Sequence, residues 1–130
     1  MARVLLVDDS MYQRIKLRKI LEAAGYEVVE GSDGEQGLAV AASSNPDCML
    51  LDLLMPKVDG MQVLRQLQEN HQTIPVIIHT SDIQLETKKE CLDLGAVAFL
   101  NKPASEADLL AAIADALRDI DKESGNAVNT

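Results

Sequence analysis

Five short apolar runs, Val4 to Val7, Tyr26 to Val29, Cys48 to Leu51, Pro75 to Ile78 and Val97 to Leu100, recur along the chain, each followed by a longer amphipathic segment. Runs this short, without strict polar alternation, read as strands covered on both faces, and the segments between them read as crossover helices. A strand returning to a parallel neighbour through a helix does so right-handedly, which places helices on both sides of one sheet. The alternation therefore predicts an open, doubly wound parallel α/β fold of five strands, with 2-1-3-4-5 as the expected strand order.

The segments between the runs carry helical spacing. Leu17, Ile20, Leu21 and Ala24 mark the first, Val63, Leu64 and Leu67 the third, and Leu110, Ile113, Ala114 and Leu117 the last. Each set gives one apolar face per helix. Ser10, Ser32, Asp82 and Ser105 stand where helix N-caps are expected, and Gly25 and Gly95 where helices should stop. The 130 residues suffice for one continuous core and leave no room for a second folded domain. Residues 1–120 are read as that domain. Residues 121–130 are polar, with Gly, Asn and Ser, and read as a frayed tail or linker stub.

With 12 basic and 21 acidic side chains the formal charge is −9, which repels phosphate backbones and anionic lipid headgroups. Neither nucleic acid nor membrane is an expected partner. The apolar runs are far shorter than a bilayer span, and Met1-Ala2-Arg3-Val4 enters the first of them without a signal-peptide layout, so a cytoplasmic protein is expected. Cys48 and Cys91 have no metal-ligand spacing and read as buried free thiols. His71 and His79 are equally poor metal ligands by context.

In an open α/β sheet, ligands bind beyond the carboxyl ends of the strands, near the point where strand order reverses. Asp8 and Asp9 follow the first strand, Asp52 the third, Thr80, Ser81 and Asp82 the fourth, and Asn101, Lys102 and Pro103 the fifth. Each has a plain structural reading as well. Asp8 and Asp9 could favour a helix N-terminus, Asp52 could cap a turn, Thr80-Ser81-Asp82 could cap a helix, and Lys102 could be a solvated charge. Their coincidence shifts the balance, because three carboxylates at one strand edge repel each other unless a cation joins them. Magnesium suits such a site: it is a hard ion that combines one or two carboxylates with water and phosphate.

V-D-D-S after the first strand, D-L-L-M-P-K-V-D-G after the third, T-S-D after the fourth and F-L-N-K-P after the fifth resemble the signature of the response regulator receiver (CheY-like) domain of two-component signal transduction. The likeness covers about residues 3 to 120, and four motifs in order, each after an expected strand, are far more specific than any one. The resemblance implies a flavodoxin-like (βα)5 fold and a single-domain phosphoacceptor. Asp52 is the implied nucleophile, taking phosphate from a phosphohistidine on a sensor histidine kinase or histidine phosphotransfer protein. Asp9 and Asp52 would ligate Mg2+ directly, with the backbone carbonyl of Leu54 as a third ligand and Asp8 acting mainly through water. Lys102 and the Thr80 hydroxyl would hold phosphoryl oxygens, with backbone N–H groups near Leu53 and Ser81 as further donors.

The resemblance further implies a switch in which Thr80 moves toward the phosphoryl group and Phe99 turns inward, Phe99 lacking the hydroxyl a tyrosine would offer. It also implies a cis Lys102-Pro103 peptide. Leu54, two residues beyond Asp52, is apolar and cannot orient an attacking water, so slow self-dephosphorylation is expected. Arg14, Lys16, Arg18 and Lys19 on the first helix read either as a solvated face or as a docking surface for the kinase's phosphohistidine helix. The chain is expected to be no enzyme, since an aspartate-nucleophile phosphatase usually carries a general acid where Leu54 stands. A flavin-binding electron carrier would need a phosphate-cradling loop after the first strand and more aromatics than two Tyr and one Phe. The downstream target stays open, and a monomer or weak dimer is expected.

Overall fold

The computed structural model describes residues 1–129, as five strands alternating with five helices. In chain order these are β1 (Arg3–Val7), α1 (Met11–Ala23), β2 (Glu27–Gly31), α2 (Gly34–Ser44), β3 (Cys48–Leu51), α3 (Gly60–Glu69), β4 (Val76–Thr80), α4 (Leu85–Asp93), β5 (Ala98–Asn101) and α5 (Glu106–Asn129). All strand pairs are parallel and the order is β2-β1-β3-β4-β5. This is the doubly wound arrangement expected from the alternation, and the flavodoxin-like form of it that the resemblance implies. Strand order reverses between β1 and β3, which places the crevice at their carboxyl ends.

The two-residue period of the strands sorts the core into two layers. Leu5, Val7, Met49, Leu51, Val76 and Ile78 pack with Ala41 of α2, Val63, Leu64 and Leu67 of α3 and Cys91 of α4. Val4, Leu6, Val28, Cys48, Leu50 and Ile77 pack with Leu17 and Leu21 of α1 and Leu109, Ile113 and Ala116 of α5. The inward stripe of α5 is thus one residue offset from the expected set: Leu110 and Leu117 lie at its margin, and Ala114 is exposed. Cys48 and Cys91 are both buried and free.

The helix boundaries expose some differences from the expected caps. Ser10 caps α1 through the Gln13 N–H, and the Ser105 hydroxyl accepts from the Asp108 N–H at the start of α5. At α2 the cap is Asp33 rather than Ser32. Asp is as good a cap as Ser, and Ser32 instead donates to the Gln36 side chain. At α4 the cap position is Gln84 rather than Asp82 and makes no side-chain cap bond. Asp82 lies before it and accepts from the Gln84 N–H and the Thr87 hydroxyl. Gly25 and Gly95, at φ +95° and +100°, supply the left-handed turns after α1 and α4. Helical backbone in α5 continues to Asn129, through the stretch read as a polar tail. Ala, Glu and Lys have high helix propensity, which a reading of the stretch by its polarity does not register. Thr130 lies outside the described residues.

Candidate phosphoacceptor site

The carboxyl ends of β1 and β3 bring Asp8, Asp9 and Asp52 together, with one carboxylate oxygen from each lying within 4.8 Å of the others. The ladder accounts for this placement. Asp8 N–H donates to the Gly31 carbonyl and Asp52 N–H to the Val7 carbonyl, so both residues occupy the first positions beyond their strands. Asp8 and Asp52 are buried, at 3 % and 6 % exposure, and Asp9 faces solvent.

Lys102 reaches across from the end of β5. Its Nζ lies 2.8 Å from Asp8 Oδ2 and 3.2 Å from Asp52 Oδ2. The remaining oxygens of those carboxylates accept backbone N–H groups: Asp8 Oδ1 from Ser10 at 2.8 Å, and Asp52 Oδ1 from Leu54 at 3.2 Å. The lysine is positioned by its own N–H, which donates to the Thr80 carbonyl, and it precedes a cis peptide to Pro103.

Burial pushes the Asp52 carboxyl above the usual carboxylate range, against the pull of the Leu54 N–H and the Lys102 charge, and the neighbouring Asp8 charge adds to the rise. Burial alone would lower the Lys102 ammonium, but its hydrogen bond to Asp8 and the charges of Asp52 and Asp8 outweigh burial and raise it. Three carboxylates face a single ammonium here. A buried carboxylate held above its ordinary range beside two others is a site short of positive charge, which a divalent hard cation fits.

Thr80 is fully buried, and its hydroxyl accepts the Asp82 N–H at 3.2 Å. Ser81 is exposed beside it, and Phe99 is half-buried, packed against the layer that contains Ile78 and Cys91. Leu54 is exposed at the rim.

The basic residues of α1 separate into two groups. Arg14 pairs with Glu30 of β2 at 3.0 Å, and Arg18 with the same carboxylate at 2.7 Å and with Glu22 at 3.5 Å. Both guanidinium groups of the expected docking set therefore have partners within the fold, Arg14 being the less exposed of the two, at 15% of its side chain against 35% for Arg18. Lys16 and Lys19 are exposed, with no ion pair among the described residues. The exposed residues of α1 nearest Asp9 in the chain are apolar instead: Met11, Tyr12 and Ile15. A period-3.6 reading that counts charges passes over them, yet three exposed apolar side chains on one helix were visible in the sequence as positions outside the Leu17/Leu21 stripe.

No helix among the described residues is long and apolar enough to cross a membrane. The chain matches the family model for the response regulator receiver domain over residues 4–114. It is 36% identical over 123 residues to the response regulator MprA of Mycolicibacterium vanbaalenii, an alignment covering 95% of this chain and 53% of that protein. The chain thus spans about half the length of the curated relatives it matches. Among solved structures it resembles a CheY-like receiver domain of Methanospirillum hungatei, with a TM-score of 0.90 at 30% identity, covering 95% of this chain and 98% of that one. It also resembles a chain of the CheX-CheY-BeF3-Mg+2 complex of Borrelia burgdorferi, with a TM-score of 0.82 at 30% identity and 86% of each chain covered. The four motifs, the 2-1-3-4-5 sheet and the acidic crevice at its switch point meet in one conclusion: the chain belongs to the receiver-domain family of two-component response regulators.

Proposed function

We propose that Asp52 accepts a phosphoryl group from the phosphohistidine of a sensor histidine kinase or histidine phosphotransfer protein, and that the modified domain changes its choice of partner. The observation that carries this reading is the Lys102 ammonium bridging Asp8 and Asp52 inside a three-carboxylate cluster. Asp8, Asp9 and Asp52 would hold Mg2+, with the Leu54 carbonyl as a further ligand. When bound, the ion supplies charge neutralisation for the incoming phosphoryl oxygens.

In the transfer, an Asp52 carboxylate oxygen forms a bond to phosphorus as the phosphorus–nitrogen bond of the donor breaks, and the imidazole leaves as neutral histidine after taking up a proton. Lys102 is already within reach of Asp52 and can follow a phosphoryl oxygen. The Thr80 hydroxyl donates to another, giving up its contact with the Asp82 N–H, and Ser81 supplies a backbone donor. Half-buried Phe99 then has room to turn inward, which alters the surface around α4 and β5. For the donor protein, Met11, Tyr12 and Ile15 offer an apolar contact beside Asp9, with Lys16 and Lys19 as exposed charges. Apolar Leu54 cannot itself orient water or act as a general acid, so the domain works as a switch with a long-lived mark and not as an enzyme that turns over. The −9 charge of the chain argues against nucleic acid as a direct partner of this domain, and the donor protein is placed in the cytoplasm.

The test is intact mass after incubation with Mg2+ and acetyl phosphate, for the native sequence and Asp52→Asn. One phosphoryl increment that requires Mg2+ and is absent from the variant is expected, persisting for minutes or longer after the donor is removed. An increment that survives in Asp52→Asn would refute the assignment of the acceptor, and decay within seconds would refute the role given to Leu54.

A further inference from the structure

The three carboxylates of the crevice are not held in the same way. Asp8 is fixed by the Ser10 N–H and Lys102, and Asp52 by the Leu54 N–H and Lys102. The Asp9 carboxylate has no hydrogen bond or ion pair among the described residues, and it is exposed. Its place in the cluster is therefore set by its own rotamer and by its backbone, which the peptide that joins it to Asp8 orients.

That peptide lies beyond the last ladder bond of β1. The Asp8 N–H still finds the Gly31 carbonyl, but β2 ends at Gly31, so no strand donor is left for the Asp8 carbonyl. Arg14 supplies one: its Nη1 donates to the Asp8 carbonyl oxygen at 2.7 Å. Its Nε donates to Glu30 Oε1 at 3.0 Å, and Glu30 is in turn held by Arg18 at 2.7 Å through its other oxygen. The Arg14 side chain is 15% exposed. A planar guanidinium can satisfy a carbonyl and a carboxylate at a fixed angle to each other, which an ammonium cannot.

We propose that Arg14 is a positioning residue of the acidic site: clamped by Glu30, it fixes the Asp8–Asp9 peptide plane and so aims the Asp9 carboxylate toward the cation that it and Asp52 would hold. The inference rests on the magnesium-dependent reading above. It gives Arg14 a role directed inward, at the metal, and none at the surface of α1. Because the Arg14 charge is already met by Glu30, the residue acts through geometry and adds no counter-charge to the crevice.

The experiment is calorimetric titration of Mg2+ into the native protein, Arg14→Met, Arg14→Lys and Glu30→Gln, alongside the rate of phosphorylation by acetyl phosphate as a function of Mg2+. Residues that orient metal ligands typically change affinity by ~10–100-fold when removed, and Arg14→Met is expected to weaken Mg2+ binding by about 10-fold while its phosphorylation rate at saturating Mg2+ recovers to within about twofold of native. Arg14→Lys should fail to rescue, and Glu30→Gln, which leaves the clamp in place but less firmly oriented, should show a smaller loss in the same direction. Arg65→Met, which breaks the exposed Arg65–Glu90 pair between α3 and α4, is the control and should leave Mg2+ binding unchanged. If Arg14→Met binds Mg2+ like native, if Arg14→Lys restores affinity, or if saturating Mg2+ fails to recover the rate, the positioning role is wrong while the phosphoacceptor reading stands. Should Arg14→Met not fold, unchanged affinity in Glu30→Gln overturns it equally. A native protein that takes up no Mg2+ at all refutes both.

Discussion

His79 shows how a single residue's environment sets a property of the whole domain. It sits on β4 at 5% exposure, and its Nε2 has no hydrogen-bond partner among the described residues. Burial, reinforced by the Lys102 charge and by Lys16 against the opposing pull of Asp8, lowers its pKa from 6.5 to about 4. Between those values the unfolded chain binds a proton that the native protein refuses, so stability is lost as pH falls from about 6.5 toward 4. Over the drop from pH 7 to pH 5 this amounts to about 2 kcal/mol. His79→Leu should remove that component. Urea unfolding at both pH values checks it: the native protein should lose more than the variant, and parallel losses would show that carboxylates alone carry the acid sensitivity. The same scale shows where a single sequence falls short. Asp8, Asp52, Thr80 and Lys102 were legible because each lies at or just beyond the carboxyl end of a strand and the switch-point rule says where strand ends converge. The engagement of Arg14 and Arg18 was not, because it depends on Glu30, 16 and 12 residues away, being the last outward side chain before the end of β2.

At the scale of elements, the segment from β3 to α3 aims the acceptor. Asp59 caps α3 in a reciprocal capping box with Gln62, a D-x-x-Q pattern that the sequence displayed, and the helix starts directly against the β3 end. Gly60 makes this approach possible: a Cβ there would lie 2.6 Å from the Asp52 carbonyl oxygen and 2.7 Å from Leu53 Cα, both backbone. Gly60→Ala must therefore push α3 away from β3, at a cost of about 1–3 kcal/mol, and should slow phosphorylation of Asp52. Gly25→Ala is the informative contrast. Its φ of +95° makes alanine strained, but nothing lies within 4 Å, so it should cost about 1–2 kcal/mol and leave the phosphorylation rate as it was. Chemical denaturation paired with acetyl phosphate kinetics separates the two, and equal kinetics would mean that the α3 approach does not position Asp52. Elements themselves were the most legible level, since strand existence follows from the apolar runs and the order is the one expected of a doubly wound sheet. Their ends were less so, because Ser32 and Asp33 are both good caps and only the chain's approach angle decides between them.

For the molecule as a whole, cohesion is uneven across the sheet. β1, β3 and β4 are the inner strands, and every residue from Val4 to Val7, Cys48 to Leu51 and Val76 to Thr80 is buried. On the other side of β4, α4 is nine residues long, lacks a side-chain cap bond and buries only Cys91, while Ile83, Leu85 and Leu92 stand exposed. A short helix with one buried side chain opens at a lower free energy than the inner strands do. The two thiols sit on either side of this divide, Cys48 on β3 and Cys91 on α4. Burial pushes Cys48 up to about 12, with the Asp47 charge adding to it, and burial with the Glu90 and Asp82 charges pushes Cys91 up to about 11. Neither thiol should react readily in the closed protein, so labelling reports opening. With a thiol-specific reagent at neutral pH, Cys91 should be modified first, at a rate that low urea hardly alters, because α4 detaches with little newly exposed surface. Cys48 should follow only as the domain unfolds, its rate rising steeply with urea. Mass spectrometry of peptides from the labelled protein distinguishes the sites. Simultaneous modification with one urea dependence would mean that α4 and the inner sheet form a single cooperative unit, and that the face expected to change on phosphorylation has no independent freedom to move.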